Sequence, residues 1–151
     1  MIRASVMVAA GLWASMALAQ PSALFSPDPV AITDEANRYF SGIGVVQDDE
    51  RAATLYREAA EKGYARAQHN LGVMYAEGRG VVRDMTLAIE WYRKAVAQAY
   101  VPAMTSLGIA YAEGRGVAAD PATAARLLQM AADAGDRRAK EFLLSSGLAR
   151  R

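Results

Sequence analysis

His69 is the single histidine of the chain, and there is no cysteine. An imidazole does metal or acid–base work when a second ligand or an orienting carboxylate stands at a fixed spacing from it. The helical neighbours of His69 are Arg66, Val73 and Glu77, which make no such set. Ser-x-x-Lys, His-Glu-x-x-His and Gly-x-x-x-x-Gly-Lys are missing too, so the chemistries served by those spacings have no carrier. One further stretch invites attention: Glu-Gly-Arg-Gly-Val, at residues 77–81 and again at 113–117. Glycines that cradle phosphate normally follow a strand, whereas these lie between two helical patterns and fit chain reversal. The residues point away from an enzyme, and no metal or cofactor is expected.

What must position these side chains is written in the same stretch. Residues 71–84 read LGVMYAEGRGVVRD, and residues 107–120 read LGIAYAEGRGVAAD. A shift of thirty-six aligns Ala67 with Ala103, Leu71 with Leu107, Gly72 with Gly108 and Tyr75 with Tyr111. It also aligns Gly78 with Gly114, Gly80 with Gly116, Asp84 with Asp120, Ala88 with Ala124 and Ala95 with Ala131. A diverged copy precedes these, at Tyr39, Gly42, Gly44, Val45, Asp48, Ala52, Tyr56 and Ala59, and Ala139 with Leu143 begin another. A fixed period of this size marks a stacked-repeat protein, in which each unit buries its apolar face against its neighbours.

Within one unit, Ala67, Leu71, Met74 and Tyr75 fall at three- and four-residue spacing and predict a helix. Gly78 suits the left-handed residue that ends it, and Asp84 suits the cap of a second helix burying Ala88, Trp91, Tyr92 and Ala95. In the next copy Pro121 follows Asp120, and proline favours a first helical position. Gly72, repeated as Gly108, sits inside the first helix at a cost of about 1 kcal/mol relative to alanine. Close approach of the second helix, with Ala88 and Ala124 facing it, offsets that cost and makes Gly72→Leu a steric wedge. Helices are expected over 33–41, 49–62, 65–77, 85–98, 101–113, 121–134 and 137–146, giving three helical hairpins and a capping helix.

The order Ala67, Leu71, Gly72, Tyr75, Gly78, Gly80, Val81, Asp84, Ala88, Trp91, Tyr92, Ala95 resembles the Sel-one-like repeat, a cousin of the tetratricopeptide repeat. The resemblance covers residues 33–147 and is strongest in the two central copies. Glu35 and Ala36 replace Leu-Gly in the first copy, and Leu127 with Leu128 replace Trp-Tyr in the third. It implies an all-α, right-handed superhelical solenoid used as a binding platform, often in bacterial envelope or secreted proteins, with the first helices lining the concave face.

On that face the implied contact positions are Asn37 and Phe40, then Arg66, His69, Val73 and Glu77, then Thr105, Ile109 and Glu113, and in the cap Arg138 and Glu141. They differ between copies while the core letters recur. Each taken singly is also what ordinary solvated helix surface looks like; as a set they suit a groove for a peptide or helix. The expected partner is another protein. A factor contacting cell-wall glycan or polysaccharide machinery, for which Phe40 is the one aromatic candidate, stays open as an alternative, and a hydrolase with an unrecognised site stays open behind it. Self-association through the diverged first unit also stays open.

Residues 1–19 read as targeting: a basic start at Arg3, an uncharged apolar run over 4–18, and small residues Ala17 and Ala19 flanking Leu18. This predicts a signal peptide cut after Ala19, too short for an anchor and leaving no stable membrane insertion. Export to the periplasm or beyond the cell follows. Residues 20–32, with three prolines, read as a flexible leader, and 148–151 as a tail. Beyond residue 19 the chain carries sixteen basic and sixteen acidic side chains, a balance that offers no uniform field for nucleic acid or an anionic membrane.

Overall fold

The structure is a computed structural model that describes residues 27–148. The expected signal peptide, most of the leader and the tail beyond Leu148 lie outside the described residues. Seven helices follow one another: α1 Pro29–Ser41, α2 Asp49–Glu61, α3 Ala65–Glu77, α4 Met85–Val96, α5 Val101–Glu113, α6 Pro121–Asp133 and α7 Arg137–Ser146. Each packs mainly on its neighbours in the chain, most closely within the pairs α1/α2, α3/α4 and α5/α6. The result is an all-α repeat array of three hairpins and a final single helix.

Each hairpin is built by the same local chemistry. The first helix ends on a left-handed glycine, Gly42, Gly78 or Gly114. The connecting loop closes when the amides of Asp48, Asp84 and Asp120 donate to the carbonyls of Tyr39, Tyr75 and Tyr111 at 2.9–3.0 Å. The same three aspartates then cap α2, α4 and α6, their side chains accepting from the amides of Arg51, Leu87 and Thr123 at 2.9–3.0 Å. A carboxylate there satisfies an amide left free by the first turn and lies at the positive end of the helix dipole.

α1 begins four residues before the sequence suggests, since Asp28 caps it by accepting from the Val30 amide at 2.9 Å and Pro29 takes its first position. Thr33 is therefore interior rather than the start, fully buried and donating to the Pro29 carbonyl at 2.7 Å.

The glycine inside the first helix is held by contact. A Cβ on Gly72 would lie 2.6 Å from Cε1 of the Tyr92 ring and 3.2 Å from the Ala88 carbonyl oxygen. On Gly108 it would lie 2.8 Å from Cγ of Leu128 and 3.4 Å from the Ala124 carbonyl oxygen. The second helix does approach closely at Ala88 and Ala124, but the atoms pressed nearest the glycine belong to the large residue one turn further on. In α7 the same register is filled by Leu144, which stands 81% exposed.

The second glycine of Gly-Arg-Gly joins hairpins together. Gly80 has φ +65°, and a Cβ on it would run into the Asp49 carbonyl at the start of α2. Gly116 has φ +68°, and its Cβ would lie 2.6 Å from the Met85 carbonyl oxygen at the start of α4. The loop of each later hairpin thus seats on the second helix of the hairpin before it. Gly44, in the first copy, has the same left-handed backbone with only Arg38 nearby, Nη2 lying 3.6 Å from its Cβ position.

Candidate binding groove

Three hollows open in series along α1, α3, α5 and α7. The first, about 530 Å³, is formed by Asn37, Phe40 and Ser41 of α1, Tyr56 of α2, and Arg66, His69, Asn70 and Val73 of α3. The second is smaller, about 160 Å³, and gathers Val73, Ala76, Glu77, Met85, Tyr92, Ser106, Ile109, Ala110, Arg115 and Arg138. The third, about 440 Å³, takes in Ile109, Glu113, Arg115, Arg138, Glu141, Phe142 and Ser145. Val73 is shared by the first two, and Ile109, Arg115 and Arg138 by the last two, so the hollows form one groove.

Of the residues the sequence suggests for such a face, Asn37, Phe40, Arg66, His69 and Val73 line the first hollow. Glu77, Ile109 and Arg138 line the second, and Glu113 and Glu141 the third. Thr105 is a correction. It is 1% exposed, with its hydroxyl 3.5 Å from the Val101 carbonyl, and it reaches none of the hollows. Positions 33, 69 and 105 share one register that faces neighbouring helices, and a threonine is short enough to be covered there. On α5 the groove place falls to Ser106. Ile109 is also largely core, at 6% exposure, and offers the groove only an edge.

His69, in that same register, is too large to be hidden and becomes a joint between hairpins. Its ring packs against Tyr92, with centroids 5.7 Å apart, and against Tyr100 at 5.6 Å. Nδ1 lies 3.4 Å from Asn70 Oδ1, and Nε2 lies 3.1 Å from Ser106 Oγ on the next first helix. A neutral ring protonated on Nδ1 satisfies both contacts, with the Ser106 hydroxyl donating to Nε2. Burial holds the His69 pKa below the usual histidine range; the Asn70 contact opposes this and the charge of Arg138 adds to it.

The polar seam continues through the first hollow. The Tyr56 hydroxyl donates to Asn37 Oδ1 at 2.7 Å, and Asn70 Nδ2 donates to the same oxygen at 3.4 Å. Tyr56, Asn37, Asn70, His69 and Ser106 therefore link three hairpins side chain to side chain. Burial pushes the Tyr92 hydroxyl up to about 12, so it is a neutral wall of the second hollow. Arg79 lies over the Phe40 ring, 3.8 Å from its centroid, while the Tyr56 ring meets Phe40 edge-on at 6.4 Å.

Tyr56, Asn70, Ser106 and Arg115 are groove residues that sequence reasoning passes over. Asn70 and Ser106 had a usable signal, since positions 34, 70 and 106 are polar in all three hairpins, and in the two central copies they stand directly before the recurring Leu71 and Leu107. Tyr56 reads as a core letter and Arg115 as part of a turn. Among the described residues, no three His, Asp or Glu side chains gather as a metal site, and no helix is long and apolar enough to cross a membrane.

Stacked helical hairpins with a lined groove define a repeat scaffold. The Sel1 repeat model matches residues 36–64, 65–100 and 101–136, and the chain belongs to that family. Its members are generally protein-interaction modules of the scaffold type. A Sel1 repeat protein from Oxalobacter formigenes is 36% identical, with a TM-score of 0.71 over 78% of this chain and 50% of that one. A protective antigen of uropathogenic Escherichia coli with an SLR fold is 38% identical, with a TM-score of 0.73 over 79% of this chain and 26% of that one. Cysteine rich protein B of Helicobacter pylori shares the fold at 21% identity and a TM-score of 0.63, over 76% of this chain and 89% of that one. The chain thus spans half or less of the first two relatives. No curated protein matches it.

Proposed function

We propose that this chain is an exported, non-catalytic scaffold of the bacterial cell envelope that holds a segment of another protein along the groove of α1, α3, α5 and α7. The observation that carries the reading is the continuity of the three hollows through shared Val73, Ile109, Arg115 and Arg138. A continuous groove with alternating apolar and polar walls suits an extended chain or a helix better than a compact metabolite. Export rests on the basic start, apolar run and small-residue site of residues 1–19. The glycan alternative loses support, because sugar stacking needs an open aromatic face and Phe40 is covered by Arg79 and met by Tyr56.

A photo-crosslinking residue placed at Asn70 in cells is expected to capture a discrete partner protein, while the same residue at the outward loop position Val82, 89% exposed, captures none of it. Equal capture at both positions would remove the groove from the reading. Mass spectrometry of the isolated protein is expected to find Gln20 as the first residue, and a retained segment 1–19 would remove export.

A further inference from the structure

The groove's charges are not equally free. Glu113 is held by Arg115 at 2.6 Å, and Glu141 by Arg137 at 3.4 Å. Arg138 has no carboxylate within ion-pair distance among the described residues, and Arg66 reaches only Asp34, at 3.5 Å with 43% of its side chain exposed. These two arginines occupy one register, two periods apart, with the uncharged Pro102 at the intervening copy. Their fields act on the groove wall: Arg66 favours negative charge at Tyr56 and Tyr100, Arg138 favours it at Tyr92 and disfavours positive charge at His69. Between the arginines, Glu77 is the one groove carboxylate without an ion-pair partner among the described residues.

We propose that the groove takes an extended peptide segment carrying two carboxylates, one on Arg66 and one on Arg138, with no acid between them. The proposal rests on the protein-segment reading above and names the chemistry of that segment. His69 on α3 meets Ser106 on α5 side chain to side chain at 3.1 Å, so successive first helices stand about 10 Å apart and two steps along the array span about 20 Å. An extended chain covers that length in about six residues, since each adds roughly 3.3 Å. Between its ends the segment passes Asn70 and Ser106, which hydrogen-bond a main chain, and Val73, which takes a small apolar side chain. An acid midway would face Glu77 and be repelled. A charge-assisted hydrogen bond to guanidinium fixes each end.

The test is selection from a phage-displayed library of random twelve-residue peptides on the chain beginning at Gln20, followed by fluorescence anisotropy with the enriched peptide. Peptides with two acids five to seven residues apart are expected to enrich. Arg66→Gln and Arg138→Gln are each expected to weaken binding about tenfold, and circular dichroism should show both variants folded. Changing the two acids to amides should weaken binding to the same extent. Enrichment of neutral or basic peptides whose binding is lost in Asn70→Trp would overturn the acidic assignment and leave the groove reading standing. No groove-dependent enrichment would sink both. Polygalacturonate, run as a second probe, is expected not to displace the peptide; retention of polygalacturonate with no peptide enrichment would assign the arginines to an anionic glycan and overturn the proposal.

Discussion

Arg79 closes on Asp49 with two hydrogen bonds, Nε to Oδ2 at 3.0 Å and Nη2 to Oδ1 at 2.8 Å, and so ties the loop of the second hairpin to the second helix of the first. One period later the register of Asp49 is filled by Met85, and Arg115 turns instead to Glu113 at the end of α5, in its own hairpin. The first joint of the array is therefore pinned by charge and the second is not. Repetition in the sequence conceals this asymmetry, because the arginine recurs and its acceptor does not.

The hydrogen bond from Arg79 holds the Asp49 carboxyl below its ordinary value of 3.8, against an opposing push from burial. A lowered carboxyl pKa contributes stability that is complete above the unfolded value and is lost as pH falls through the folded one. Both side chains are about a third exposed, so solvent screening limits the pair to about 0.5–1 kcal/mol. Asp49→Asn is expected to lower the free energy of urea unfolding at pH 7 by that amount and to converge on the parent as pH falls through the lowered carboxyl pKa. A difference persisting undiminished at pH 2.5 would mean that packing, not charge, sets the effect.

Gly80→Ala and Gly44→Ala form an internal comparison. Both place a side chain on left-handed backbone, which costs about 1 kcal/mol. Only Gly80 also drives its new methyl into the start of α2. The loss at Gly44 should stop near 1 kcal/mol, while that at Gly80 should approach about 3 kcal/mol once overpacking is added. Equal losses in chemical denaturation would show that the loop does not seat on the preceding hairpin.

Ala99 is the one non-glycine residue with positive φ among those described, at 57°, in a register where the other two copies carry Gly63 and Gly135. Relief of the left-handed strain outweighs the greater freedom glycine brings to the unfolded chain. Ala99→Gly should therefore raise stability by about 0.5 kcal/mol, read as a melting temperature a few degrees higher. A lower melting temperature would contradict this.

His69 titrates below the usual histidine range because it is buried. For a histidine with lowered folded pKa, the contribution is complete above the unfolded value of about 6.5 and erodes as pH falls toward the folded one. The groups around it are Asn70 on its own helix, Ser106, Tyr92 and Tyr100, with the charge of Arg138 nearby; burial first and then Arg138 disfavour the imidazolium, and the Asn70 contact opposes them. As the only histidine, it gives a single imidazole resonance whose NMR midpoint should fall below 6.5. His69→Gln should flatten the loss of stability between pH 6.5 and 5; a midpoint at or above 6.5 would show an open, solvated ring.

The hairpins were legible because their causes are local. Aspartate before a helix, glycine after one and apolar letters at three- and four-residue spacing act within a few residues of chain. The start of α1 was legible in principle too, since Asp28-Pro29 is the same cap-and-proline pair as Asp120-Pro121, but nearby prolines made it read as leader. Contacts between hairpins were not legible. His69 with Ser106, Arg79 with Asp49 and Gly80 with Asp49 all join residues roughly one period apart, where sequence spacing shows equivalence but not touching. Thr105 fails for that reason: equivalence to His69 placed it on the groove, and its smaller size let the neighbouring helix cover it.

Leu144 holds the place that Gly72 and Gly108 keep clear for an incoming helix. A further hairpin arm arriving on α7 as α4 arrives on α3 would be propped off by an isobutyl group where the others find bare backbone. Growth of the array beyond α7 would consequently demand a smaller residue at that site, whereas duplication of an internal hairpin would leave the cap as it is.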